Sequence, residues 1–168
     1  QYRAYDAFIE KNPQYKKSIA VDFPMKGILL FASGPNSKWG VTHAGLARYC
    51  VDFMGSTKKR SVIKVGTTGK KNSDYVSYGW SIYAASDGVV IDVVDDVMDH
   101  PPRREYRHDK ANVIIIKDKN SFFHIYVLNK YKTSKVKKGD YVKKGQLIAE
   151  LGNSGSTNPH LHYGVWNS

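Results

Sequence analysis

Short apolar runs separated by turn residues make up most of the chain beyond its N-terminal segment. The runs are of strand length, as at residues 89–94, and turns containing Gly, Asp and Ser separate them, as at residues 86–88. Residues 112–116 and 122–128, joined by a turn at 118–121, predict a β-hairpin. Helix-type spacing is scarce in this part of the chain. We therefore expect an all-β fold.

The N-terminal segment has a different pattern. Tyr5, Phe8 and Ile9 are spaced i, i+3, i+4, which predicts a short helix. We expect residues 1–22 to form this accessory segment and residues 23–168 to form one domain, because 168 residues is an ordinary length for a domain with its own core. The apolar runs are too short to cross a bilayer, so no transmembrane segment is expected in this chain.

The charge of the chain is strongly basic. It has 26 Lys and Arg residues against 15 Asp and Glu residues, a formal net charge of +11 at pH 7. Such a charge favours polyanionic partners, and nucleic acid and anionic cell-wall polymers are both candidates. The basic residues form short clusters at turn-like positions, such as residues 58–60 and 143–144, and no nucleic-acid-binding motif accompanies them. A nucleic-acid-binding β-barrel would rest on charge alone, so we expect no nucleic-acid partner.

His160 and His162 are the strongest candidates for chemistry. They stand two residues apart in N-P-H-L-H, after a run rich in Gly, Asn and Ser. Side chains two apart on a strand point to the same face, and Pro159 suits the first position of a strand. Imidazole nitrogen is a common zinc ligand, and catalytic zinc combines three protein ligands with one open position. A strand carrying two surface histidines would show the same spacing, so H-x-H alone leaves both interpretations open.

Asp52 is a second candidate, because it interrupts the apolar pattern of a predicted strand at residues 49–54. An unpaired buried carboxylate is costly, so Asp52 is expected either near the surface or with a partner. A metal ion would be such a partner. The presence of His43 upstream favours the metal over a partly exposed strand aspartate.

Five motifs follow one another along the chain: T-H-A-G-L-A-R-Y-C-V-D-F, Y-G-W-S-I-Y-A-A-S-D-G-V-V, N-V-I-I-I, V-K-K-G-D-Y-V-K-K-G-Q and G-N-S-G-S-T-N-P-H-L-H-Y-G-V. In this order they resemble the lysostaphin-type zinc endopeptidases of peptidoglycan, the LytM domain family. One motif alone is weak, since the fourth also resembles biotinyl-lipoyl domains, but all five in order are specific. The resemblance extends from Phe23 to Trp166. It implies a single antiparallel, sandwich-like β-sheet domain built on a duplicated hybrid motif, with long groove loops at residues 55–77 and 95–110.

The same resemblance implies a site. His43, Asp52 and His162 would hold Zn²⁺, and a water would take the open position. Zinc would lower the pKa of that water and polarise the scissile carbonyl. His160 would stand beside the metal, as a general base or as a group that stabilises the tetrahedral oxyanion.

The chain departs from this family at one position. The family has a further histidine in a Y-A-H-L strand, and the flanking motifs align that position with Leu128, in Y-V-L-N. A leucine neither donates a hydrogen bond nor transfers a proton. His124 lies four residues earlier on the same strand face and would serve only if the strand slipped or the following loop absorbed an insertion. Tyr126 shares that face and is a further candidate, although a strand tyrosine more often packs in a core.

The resemblance leaves two functions open. The first is a zinc-dependent endopeptidase that hydrolyses peptide cross-bridges or stem peptides of bacterial peptidoglycan, supported by His43, Asp52, His160 and His162. The second is a catalytically degenerate LytM module that binds cell wall or a protein partner, supported by Leu128 and the basic charge. The family resemblance implies an extracytoplasmic protein, secreted or associated with the cell envelope.

Overall fold

The computed structural model describes residues 21–33, 50–102 and 110–167, which contain nine strands and one 3-10 helix. The helix predicted around Phe8 lies outside the described residues. The 3-10 helix is Asn72–Asp74. The strands are β1 (Leu29–Ser33), β2 (Cys50–Gly55), β3 (Ser81–Tyr83), β4 (Gly88–Val94), β5 (Val113–Lys117), β6 (Phe122–Val127), β7 (Tyr141–Val142), β8 (Leu147–Glu150) and β9 (Leu161–Asn167).

Seven of these strands form one antiparallel sheet, in the order β1-β2-β9-β6-β5-β4-β7. β3 and β8 pair antiparallel in a second, two-stranded sheet. Within the described residues the regular secondary structure is thus almost entirely antiparallel β-sheet, which confirms the all-β fold class expected from the sequence. Within these same ranges, no helix has the length and apolar character that a membrane crossing requires.

The predicted hairpin is formed by β5 and β6. Their register is regular from the Val113–Val127 pair onward. Asp118 closes the turn, because its carboxylate accepts the backbone N–H groups of Asn120 and Phe122. The turn at Asp118, which the sequence already indicates, therefore fixes the position of β6. It also fixes which residues of β6 pair with β9.

The core covers one face of the large sheet. Ile82 of β3 and Ile148 of β8 are fully buried in the same cluster as Val90 of β4 and Leu161 of β9. The small sheet therefore packs against the large one, as a sandwich-like fold requires. Because side chains alternate along a strand, His162 points away from the core that Leu161 enters.

The long loop between β2 and β3 follows a path set by its own contacts. Ile63 forms an isolated antiparallel bridge with Tyr75. The Asp74 carboxylate accepts the backbone N–H groups of Lys70 and Lys71 and so closes the turn that leads into the 3-10 helix. The bridge and the turn thereby position Tyr75, which is buried.

Candidate metal and active site

Asp52 and His162 meet across two neighbouring strands. β2 and β9 pair in a register that places Asp52 directly opposite His162. Cross-strand partners share a face of the sheet, and Nδ1 of His162 lies 2.7 Å from Oδ1 of Asp52. Asp52 is only 8% exposed, so its carboxylate is buried with a partner, as the cost of an unpaired charge demands.

His160 completes a cluster of three side chains. It immediately precedes β9, and its Nε2 lies 3.6 Å from the same Oδ1 of Asp52. One nitrogen from each histidine and one oxygen from Asp52 lie within 4.8 Å of one another. The structure therefore brings together three of the four residues that the sequence motifs nominated. The fourth, His43, lies outside the described residues.

The donor atoms of this cluster fit zinc in type. Imidazole nitrogen and carboxylate oxygen both bind zinc, at about 2.0–2.2 Å from the ion. Ligands at that range in a tetrahedral site lie about 3.4 Å from one another. Nδ1 of His162 and Oδ1 of Asp52 are 2.7 Å apart, somewhat closer than that value. Small side-chain movements would thus be enough to receive the ion.

His162 has a perturbed pKa. Burial lowers its pKa, but the hydrogen bond to the Asp52 carboxylate and the interactions with Cys50 outweigh burial and raise the pKa to about 9. In the absence of a metal, an imidazolium paired with a carboxylate is therefore the stable form at neutral pH. Metal ligation needs the neutral imidazole, so a cation and this proton compete for His162.

Comparison with known proteins assigns the chain to a family. The sequence model that describes Peptidase family M23 matches residues 68–168. The chain belongs to peptidase family M23. The matched residues of this M23 chain include Leu128, His160 and His162 and begin downstream of Asp52. Asp52 itself lies outside the matched residues. It joins the site because β2 pairs with β9 in a register that places it opposite His162.

One curated relative has a defined activity. The peptidoglycan DD-endopeptidase ShyC of Vibrio cholerae serotype O1 is 35% identical over 95 residues. The matched residues are 55% of this chain and 19% of the relative, so this chain spans about a fifth of the relative's length. The alignment with ShyC agrees with the M23 assignment and with the LytM-type resemblance of the motifs.

Two solved structures share the fold. A zinc-containing peptidase from Vibrio cholerae is 27% identical, with a TM-score of 0.53 over 88% of this chain and 36% of that one. The catalytic domain of lysostaphin from Staphylococcus simulans is 23% identical, with a TM-score of 0.51 over 86% of this chain and 82% of that one. At that identity the lysostaphin likeness shows the fold alone.

Leu128 occupies an unusual backbone position next to the cluster of this M23 chain. Val127 is opposite His162 in the β6–β9 register, so Leu128 follows at the end of β6. Its N–H donates to the carbonyl of Asn112, and its own carbonyl accepts the N–H of Gly152, both at 3.0 Å. These bonds hold Leu128 at φ = +72°, where leucine is rare and histidine is several times more frequent than most residues.

The Leu128 side chain is buried and lies against the loop that leads to His160. It is 6% exposed. A Cβ atom built on Gly155 would lie 3.3 Å from Cδ2 of Leu128. Position 128 therefore touches the loop before the two histidines, and an apolar group fills the space there.

His124 is held in the interior, away from the cluster. It pairs with Val165 in a register of β6 and β9 that has no irregularity. Its side chain is fully buried, with Nδ1 2.9 Å from the Tyr163 hydroxyl and Nε2 3.4 Å from Oδ2 of Asp118. The strand slip that would bring His124 beside His162 is absent from this described part of the sheet. Burial lowers the pKa of His124, although Asp118 opposes that shift.

Tyr126 is a core residue. It is fully buried, and its hydroxyl accepts the backbone N–H of Ala85 at 2.8 Å. Its ring centroid lies 5.1 Å from that of Tyr163. These contacts keep the Tyr126 hydroxyl on the core side of the sheet, opposite to the face that carries His162.

Hydrogen bonds of two amide side chains, which we call the amide clamp, join the long loops to the loop before His160. Nδ2 of Asn153 donates to Oδ1 of Asn72 at 3.0 Å and to the carbonyl of His100 at 2.9 Å. Asn72 donates to the same carbonyl at 2.7 Å. The described parts of the loops predicted at residues 55–77 and 95–110 are thereby anchored to the site loop. Sequence reasoning missed these residues, and their only signal was the run rich in Gly, Asn and Ser before His160, which contains Asn153.

Proposed function

We propose that this chain is a zinc-dependent endopeptidase that hydrolyses peptide cross-bridges or stem peptides of bacterial peptidoglycan, outside the cytoplasm. The observation that carries the proposal is the convergence of Asp52, His160 and His162 on one face of the sheet. Membership of family M23, the alignment with a peptidoglycan DD-endopeptidase and the likeness to a zinc-containing peptidase support it.

In this proposal Asp52, His162 and His43 hold the zinc. The place of His43 rests on the family resemblance and on the three protein ligands that catalytic zinc uses. The ion would supply Lewis acidity, which polarises the scissile carbonyl and makes a water nucleophilic near neutral pH. The buried carboxylate of Asp52 would balance part of the cation's charge.

His160 is proposed to move the proton. Its Nδ1 is bound to a carbonyl, so its Nε2 presents a lone pair on the side that faces Asp52. That nitrogen would accept a proton from the attacking water and then transfer it to the amine that leaves. While protonated, the imidazolium would also stabilise the negative charge that develops on the carbonyl oxygen.

Leu128 favours a second candidate function, a catalytically degenerate module that binds cell wall or a protein partner. A leucine there provides no hydrogen bond and no proton, and His124 is committed to Tyr163 and Asp118. Loss of one proton-transfer or oxyanion group commonly lowers a rate by about two to four orders of magnitude. The net charge of +11 would support attachment to anionic wall polymers.

Release of soluble muropeptides from purified sacculi tests the proposal. The assay uses one equivalent of zinc and compares the natural protein with His160→Ala and with His100→Ala, a matched histidine outside the cluster. The peptidase proposal predicts release by the natural protein and by His100→Ala but not by His160→Ala. Zinc binding without release from sacculi of several cross-bridge types would instead support the binding module, which co-sedimentation with the same sacculi would then detect.

A further inference from the structure

Tyr75 connects the long loop after β2 to the loop before the histidine strand. The tyrosine is 2% exposed and directly follows the 3-10 helix Asn72–Asp74. Its hydroxyl donates to Oδ1 of Asn158 at 2.7 Å. The two residues are 83 positions apart in the chain, so this bond joins two separate loops.

Asn158 in turn contacts His160. The backbone carbonyl of Asn158 lies 2.8 Å from Nδ1 of His160, and Oγ of Ser156 lies 3.4 Å from the same nitrogen. A carbonyl oxygen only accepts hydrogen bonds, so Nδ1 carries the proton. In the neutral ring the lone pair is then on Nε2, which lies 3.6 Å from Oδ1 of Asp52.

Asn158 is well suited to couple the position of the Tyr75 hydroxyl to the orientation of the His160 ring. Pro159 follows it and restricts the backbone of Asn158 to extended conformations. With the backbone restricted by Pro159 and the side chain bound by Tyr75, the Asn158 carbonyl has a fixed direction.

We propose that Tyr75 is a positioning residue, which acts through Asn158 to hold His160 in the Nδ1–H tautomer with Nε2 directed at the Asp52–His162 pair. This inference rests on the proposed function, in which Nε2 of His160 accepts the proton. In this arrangement the hydroxyl of Tyr75 acts on His160 through Asn158. Partners of this kind around a reactive group are commonly worth about 10- to 100-fold in activity or metal affinity.

The test compares Tyr75→Phe with Tyr78→Phe in the zinc-loaded protein. Each variant removes one tyrosine hydroxyl from the same loop, but the Tyr78 hydroxyl donates to Asp99 at 2.7 Å rather than to Asn158. Imidazole ¹⁵N chemical shifts report the tautomer of His160. The natural protein and Tyr78→Phe should hold His160 as Nδ1–H, whereas Tyr75→Phe should raise the other tautomer by about 2- to 10-fold, the effect of one lost hydrogen bond.

Asn158→Ala provides a second route to the same result. It keeps the backbone carbonyl and removes the amide that Tyr75 binds, so it should reproduce the change in the His160 tautomer. Where muropeptide release is measurable, both variants should lower kcat by about 10- to 100-fold with KM unchanged.

An unchanged tautomer in Tyr75→Phe would overturn the inference, and so would an equal change in Tyr78→Phe. Failure of the proposed function has a different signature, since the natural protein would then release no muropeptides while its tautomer still responded to Tyr75→Phe.

Discussion

Nδ1 of His124 lies 2.9 Å from the hydroxyl of Tyr163, inside the large sheet. Tyr163 directly follows His162 along β9, and the two side chains point to opposite faces. The core face of the sheet thus carries His124, and the opposite face carries His162 in the candidate site. Nε2 of His124 donates to Asp118 and Nδ1 accepts from Tyr163, so the neutral ring satisfies both of its partners.

Because His124 is buried, we predict that the folded protein loses stability in acid. Burial lowers its pKa in the folded protein below the usual value of about 6.5, so the unfolded chain binds this proton more readily. The stability that the neutral ring contributes is present above about pH 6.5 and is lost as the pH falls toward the folded pKa. His124→Gln should therefore unfold with a smaller pH dependence between pH 7 and pH 5, by up to about 1.4 kcal/mol per pH unit.

Urea titrations at pH 7, 6 and 5 in zinc-free buffer check this. The pKa of His162 is raised to about 9, so its contribution to stability is present in full below about pH 6.5 and is lost as the pH rises from there through about 9. It is common to the natural protein and to His124→Gln, so it cancels in the comparison. Parallel pH profiles for the two proteins would contradict the assignment of a buried neutral histidine.

We predict that Asn153 stabilises the loop before His160, residues 152–160. Its buried amide donates to Asn72 and to the carbonyl of His100, so Asn153→Ala should lower the free energy of unfolding by about 1–3 kcal/mol. Amide hydrogen exchange at residues 152–160 should accelerate more than exchange in β5 and β6. Asn120→Ala, at an exposed turn position, is the matched control and should change stability by less than about 0.5 kcal/mol. Equal effects of the two substitutions would show that the amide clamp contributes nothing.

Local patterns in the sequence predicted most of the strands. The apolar runs and the Asp118 turn define the β5–β6 hairpin because periodicity and turn chemistry act between near neighbours. The alternation around Asp52 predicted β2, and the H-x-H motif placed His160 and His162 together. The boundary between residues 1–22 and a domain at 23–168 stays a prediction.

Contacts between distant segments do not follow from local patterns, and only the family resemblance joined Asp52 to His162. Asp52 and His162 are 110 positions apart, and no local pattern specifies that β2 pairs with β9 in that register. The link from Tyr75 to Asn158 is equally non-local. The positive φ of Leu128 arises from backbone hydrogen bonds to Asn112 and Gly152, and a leucine in the sequence gives no sign of it.

Substitution of the two site histidines separates their roles. We predict that His162→Ala abolishes stoichiometric zinc binding, because a proposed ligand is lost, whereas His160→Ala keeps it. Isothermal titration calorimetry with zinc, at a pH where the natural protein binds one equivalent, measures both. Equal loss of zinc in the two variants would show that His160 is a ligand as well, and that the proposed division between metal binding and proton transfer is wrong.

Leu128→His tests whether this position limits activity. Histidine tolerates the backbone conformation at φ = +72° better than leucine does, so the replacement should be accommodated there. Because a general acid–base group contributes about 100- to 10,000-fold at best, we expect muropeptide release to rise at least tenfold.

Leu128→Asn is the matched control, since asparagine also tolerates positive φ and is polar but transfers no proton. A gain with histidine and none with asparagine would identify proton chemistry as the missing element. A histidine variant that folds and binds zinc but gains nothing would show that position 128 does not limit the reaction.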